Sequence, residues 1–116
     1  MIFRIKHYII TQGKTDIFNK FFQSHLLPIH KKHGARLIGR WQNEDGRRIT
    51  ILWCYNTVAH YTFVEDQVKT DPDSIKAQEY QKQELTPLFQ ATSENFLTST
   101  LPLELTELAH LEQVHQ

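Results

Sequence analysis

LPIHKKHGARLIGRWQNEDGRRITILWCYN, residues 27–56, reads as a helix end, a strand, a tight turn and a second strand. Pro28 has no N–H to give the carbonyl four residues back, so the incoming helix is expected to kink there. Lys31, Lys32 and His33 place positive charge where the helix dipole favours it, and Gly34 is the natural left-handed stop. In the strand that follows, simple alternation puts Leu37, Gly39 and Trp41 on one face and Arg36, Ile38 and Arg40 on the other. Asn43-Glu44-Asp45-Gly46 is a hairpin turn. Beyond it Ile49, Ile51, Trp53 and Tyr55 alternate with Thr50, Leu52 and Cys54, the strongest strand pattern in the chain.

Outward from this hairpin the rest falls into place. On the N-terminal side, residues 2–10 alternate as a half-buried strand with Phe3, Ile5, His7 and Ile9 on one face and Arg4, Lys6 and Tyr8 on the other, ending at Gly13. Ile17, Phe18, Phe21, Phe22, His25, Leu26 and Ile29 recur at three- and four-residue steps, one face of a helix. On the C-terminal side, Asn56 or Thr57 caps a helix whose buried side runs through Val58, Tyr61, Val64 or Glu65, and Val68. Asp71-Pro72 opens another helix, polar except for Ile75, Ala77 and Tyr80. A last strand fits between Thr92 and Thr100, and residues 102–116 form a separate helical tail with a Leu105, Leu108, Leu111 stripe.

The order strand, helix, strand, strand, two-piece helix, strand gives an α+β fold: a ferredoxin-like, four-stranded antiparallel sheet with helices on one face. Its uncovered face would carry Tyr8, Ile38, Leu52 and Cys54 among arginines and Lys6. That face is too apolar for plain solvent, and a second copy of the chain would cover it. Those four residues are therefore the dimer-interface candidates.

Composition narrows the function. At 116 residues the chain is one domain by size, and 13 basic side chains balance 13 acidic ones, which argues against nucleic acid as a partner. A single cysteine allows no intrachain disulfide, and the apolar start is too short and too charged for a signal peptide or membrane span, so a cytoplasmic protein is expected. The helix-facing side of the sheet is expected to gather His7, Trp41, Trp53 and Tyr55, with His25 descending from the helix. An aromatic wall with a few polar tips is how small-molecule pockets are built. His25, His30 and His33 lack both zincin spacing and a carboxylate, so no metal site is expected and the last two read as solvated cations.

Leu27-Pro28-Ile29, His33-Gly34, Arg36-Leu37-Ile38-Gly39-x-Trp41 and Leu52-Trp53-x-Tyr55-x-Thr57, in that order, resemble the NIPSNAP family of the dimeric α+β barrel superfamily. Lys6-x-Tyr8 with Gly13-Lys14, and Asp71-Pro72 with Leu88 and Ser93 beyond, are similar too, so the resemblance spans residues 4–101, the barrel domain being residues 1–101. Lys6 stands where the family more often has arginine, and the helix after Pro72 lacks a tryptophan near its start. The resemblance implies sheet-to-sheet pairing into a homodimeric barrel, with a cavity between sheet and helices. Superfamily relatives include cofactor-free oxygenases, isomerases, lyases and haem-degrading enzymes acting on small, often aromatic molecules, and their catalytic residues do not share positions. The expectation is a protein that binds a small apolar or aromatic molecule without a tightly held cofactor. A non-enzymatic interaction module built on the tail, or a haem-binding protein, are the alternatives.

Overall fold

The structure, a computed structural model, describes residues 1–83 and 87–98. Strands β1 (Ile2–Ile10), β2 (Arg36–Gln42), β3 (Arg48–Tyr55) and β4 (Phe89–Thr98) form one antiparallel sheet in the order β2-β3-β1-β4. Helices α1 (Thr15–Phe21), α2 (Leu27–Lys32), α3 (Val58–Thr70) and α4 (Pro72–Lys82) lie on one side of it. This is the ferredoxin-like arrangement. β4 begins at Phe89, three residues earlier than its apolar members suggested, because Phe89 packs edge-on against Tyr8 at 5.2 Å and draws the strand start into the core. The expected tail and its leucine stripe lie outside the described residues.

Pro28 disturbs its helix one turn upstream of itself. Between α1 and α2, Phe22–Leu26 form a π-helical turn, closed by the Leu27 N–H donating to the Phe22 carbonyl five residues back. Widening the turn accommodates a Pro28 that cannot donate to Ser24. α2 stops at Gly34, whose φ of +107° few L-residues adopt. Thr57 caps α3 by accepting from the His60 N–H at 3.0 Å, and Asp71 caps α4 by accepting from the Asp73 N–H at 2.8 Å. Val64 and Ala77 are the buried centres of these two helices, whereas Val58 and Ile75, expected inward, are exposed.

Asp71 also ties α2 to α4. Lys32 Nζ reaches its Oδ2 at 2.8 Å and His33 Nε2 reaches the same atom at 2.5 Å. The Lys32 hydrogen bond first, then those from His33 and the Asp73 N–H, hold the carboxyl well below the usual carboxylate range. A depressed folded-state pKa stabilises the fold above the unfolded value near ~4 and loses that contribution as pH falls through the folded one. Asp71→Asn, which keeps the cap, should therefore flatten the loss of thermal stability on acidification from pH 5 to pH 2; an unchanged slope in melting temperature against pH would refute the assignment.

The sheet departs from expectation in two places: β1 alternates as read but turns its other face to the helices, and β2 changes phase. In β1 the helix-facing residues are Ile2, Arg4, Lys6, Tyr8 and Ile10, while Phe3, Ile5, His7 and Ile9 face away. In β2 a bulge at Ile38 lets Leu37 pair with Trp53 and Gly39 with Leu52, so the strand changes phase midway. Leu37 and Arg40 then face the helices, and Gly39 and Trp41 face away. The helix side accordingly carries the rows Leu37–Trp53–Arg4–Phe96 and Arg40–Ile51–Lys6–Glu94 across β2, β3, β1 and β4. The open side carries Trp41–Thr50–His7–Ser93 and Gly39–Leu52–Ile5–Asn95.

Candidate functional site

These rows divide the expected pocket residues. Trp53 and Tyr55 face the helices. His7 and Trp41 lie on the open side, because of the β1 phase and the Ile38 bulge. His7 Nδ1 is 3.0 Å from Thr50 Oγ1, and both line a half-open depression of about 380 Å³ with Arg48, Ile9, Ala91 and Ser93. Trp41 is 55 % exposed and lays its ring over Gly39, where a β-carbon would come within 2.3 Å of it. His25 stacks beside Phe21 and Tyr80 and borders a separate cleft of about 310 Å³ between the π turn, α2 and α4. Of the interface candidates, Leu52 and Cys54 face the open side. Tyr8 does not: it is buried among Phe18 and Phe89, and burial pushes its phenol up to about 12.

What the fold gathers between helices and sheet is a polar cluster set in aromatic walls. Arg4 is almost wholly buried at its centre. Its Nη1 meets Glu65 of α3 at 2.9 Å and its Nε meets Glu94 of β4 at 2.7 Å. Burial alone would lower this guanidinium, but the two carboxylates hold it above its ordinary value. Tyr61 lies 5.6 Å below the guanidinium and packs edge-on to both Tyr55 and Phe96, at 5.0 Å each. The Tyr55 hydroxyl is buried beside Arg4 with no partner in hydrogen-bond geometry among the described residues, and burial pushes it up to about 12. A buried hydroxyl without a partner costs stability that a ligand oxygen or nitrogen would recover.

His30 completes the cluster. Rather than reaching solvent beside Lys31 and Lys32, it folds under α2 and stacks on Trp53 with ring centroids 5.1 Å apart. Its Nδ1 lies 2.7 Å from the Leu26 carbonyl, which can only accept, so the proton sits on Nδ1. Burial lowers its pKa and keeps the ring neutral at pH 7. Nε2 is then a lone-pair acceptor, the state a general base requires. Lys6, one row from Arg4, is likewise lowered by burial. Its ammonium lies 5.5 Å from the Tyr8 ring, and among the described residues no hydrogen bond or ion pair reaches it. At the β4 side of the cluster Glu94 and Phe96 are exposed. His25, His30 and His33 thus turn to three different neighbours, Tyr80, Trp53 and Asp71. Among the described residues no three histidine, cysteine or acidic side chains converge as metal ligands, and no helix is long and apolar enough to cross a membrane.

The NIPSNAP family model matches residues 3–101. The chain belongs to the NIPSNAP family. An uncharacterised NIPSNAP domain protein from Burkholderia xenovorans superposes with a TM-score of 0.73 at 24 % identity, over 86 % of this chain and 95 % of that one. A NIPSNAP family protein of unknown function from Agrobacterium tumefaciens gives 0.72 at 18 %, over 89 % and 93 %. A candidate antibiotic biosynthesis monooxygenase from Nitrosomonas europaea gives 0.65 at 11 %, over 87 % of this NIPSNAP chain and 100 % of its own. No curated protein matches. At these identities the likeness extends to the ferredoxin-like fold.

Trp53 and Tyr55 lie on the side of the sheet expected of them, whereas the gathering of Arg4, Lys6, Tyr61, Glu65 and His30 beside them is not anticipated from the sequence. For His30 a signal was present: Phe22, Leu26 and His30 step by four, continuing the buried stripe past Pro28.

Proposed function

We propose that this NIPSNAP protein is a homodimer that binds a small aromatic molecule in the seam between helices and sheet and transfers a proton from it at His30. The observation that carries this reading is His30 itself: neutral, fixed by the Leu26 carbonyl with its proton on Nδ1, and stacked on Trp53 with Nε2 left as acceptor. Tyr61 and Phe96 offer flat apolar surfaces to a planar ligand beside the buried Trp53, and among the described residues the Tyr55 hydroxyl has an unmet hydrogen bond. Proton removal of this kind is the step shared by isomerases and by oxygenases that activate their own substrate. The Nitrosomonas neighbour's description agrees with the second.

Dimer formation would use the open side of the sheet. Ile9, Trp41 and Leu97 are exposed there, and Phe3, Ile5 and Leu52 are only half-buried, an apolar field crossed by the Thr50–His7–Ser93 row that a second copy would cover. The depression around His7 would close between the two sheets. Sedimentation showing a monomer at all concentrations would overturn the dimer.

The ligand site is tested through the two tryptophans, which lie on opposite sides of the sheet. Their two indole N–H signals, assigned with Trp41→Phe, are followed by NMR during titration with 2-naphthamide or 2-naphthoate. Saturable movement of the Trp53 signal with at least one probe is expected. Movement of Trp41 alone, or of neither, overturns the site. Tyr55→Phe should stabilise the free protein by about 1 kcal/mol in urea denaturation, since it removes a buried hydroxyl without a partner. It should also weaken probe binding. A destabilised variant would mean the hydroxyl already has its hydrogen bond.

A further inference from the structure

We infer that the molecule bound in the helix–sheet seam is an anion, a small aromatic acid whose carboxylate or comparable acidic group pairs with the ammonium of Lys6. This rests on the ligand site proposed above and names the class of compound it takes. Three cations of the sheet face the helices, Arg4, Lys6 and Arg40, and two carboxylates face them, Glu65 and Glu94. Both carboxylates are engaged by Arg4. Glu94 is the direct cross-strand neighbour of Lys6, yet its Oε2 is turned to Arg4 Nε at 2.7 Å. Arg40 has found neutral company: it donates to the Asn19 side-chain oxygen and lies 5.0 Å above the Phe22 ring, with its Nε buried and without a partner among the described residues.

Among the described residues Lys6 is thus the cation of the seam with neither an ion pair nor a hydrogen bond of its own, and it is half-buried, where an unpaired charge is costly. Lys6 is the cation a ligand would meet. It lies on β1 one row along from Arg4 and Trp53, beside the edge strand β4. Arg40 stands two strands away, fixed by Asn19. An acidic group on Lys6 would lie within the same cluster as His30, so that the charged end orients the ring and the neutral imidazole meets the rest of the molecule.

The experiment compares two isosteric probes on the full chain, 2-naphthoate and its uncharged amide 2-naphthamide, by the Trp53 indole signal. Naphthoate is expected to bind at least about tenfold more tightly than the amide, the order of one charge-assisted contact. Lys6→Met keeps the stem that packs near Tyr8, and should bring the two probes to within about twofold of each other by weakening naphthoate; Lys6→Arg should retain the preference. The free-protein indole positions report whether each variant keeps its fold. Equal affinities in the wild-type protein overturn the anion while leaving the ligand site standing, as does a preference that survives in Lys6→Met. Binding of neither probe overturns the site and this inference together.

Discussion

Replacing Arg4 by methionine should cost this NIPSNAP protein about 3–5 kcal/mol of its stability, the range for breaking a buried ion pair from one side. Methionine fills much of the space, so the loss is electrostatic: Glu65 and Glu94 would be left facing each other without the cation that separates them. Glu65 is the more enclosed of the two and should suffer more. Glu94→Gln alone should be mild, about 1 kcal/mol or less, because that carboxylate is more than a third exposed and water screens it. The double variant Arg4→Met, Glu65→Gln should lose clearly less than the two single losses added, since each removes the other's reason for being costly. Urea denaturation of the three variants measures this directly. Strict additivity would mean that Arg4 holds β1, α3 and β4 together by packing rather than by charge.

The same residue shows where the sequence stops being legible. The order of elements, the hairpin turn, the stop at Gly34, the Asp71 cap and a disturbance of the helix at Pro28 all rest on short-range chemistry. They can be read from neighbours within a turn or two. The facing of β1 rests on partners 61 and 90 residues away, and nothing local announces that Arg4 has two carboxylates waiting. Both faces of β1 also carry large apolar residues, Phe3, Ile5 and Ile9 on one and Ile2, Tyr8 and Ile10 on the other. With apolar residues on both faces, alternation marks a strand but does not say which side is inside. In β2 the clue existed in Gly39, since a glycine within a strand pattern often marks a bulge. The bulge at Ile38 is what carries Trp41 away from Trp53 and leaves the candidate site with one tryptophan instead of two.

Phe18→Ala is the counterpart of the Arg4 substitution and tests the facing of β1 from the apolar side. Phe18 is fully buried, with its ring 5.0 Å from Tyr8 and 6.4 Å from Phe89, so one side chain of α1 joins the strands β1 and β4. Truncating a buried phenylalanine costs about 3–5 kcal/mol, from lost burial and the cavity left behind. Of a total stability in the range of roughly 5–15 kcal/mol, that is enough to bring the fold near its limit. Were Tyr8 on the open side, as expected from the sequence, its surroundings would be indifferent to Phe18. With Tyr8 facing the helices, Phe18→Ala should let water reach the phenol and bring its titration down from about 12 towards the ordinary value near ~10. Tyrosinate absorbance against pH, read in a Tyr8→Phe background as control, separates this group from Tyr55, which packs at the far end of the sheet. A Tyr8 titration that stays high in a destabilised Phe18→Ala would show that burial by β4, and not by α1, is what keeps that phenol protonated.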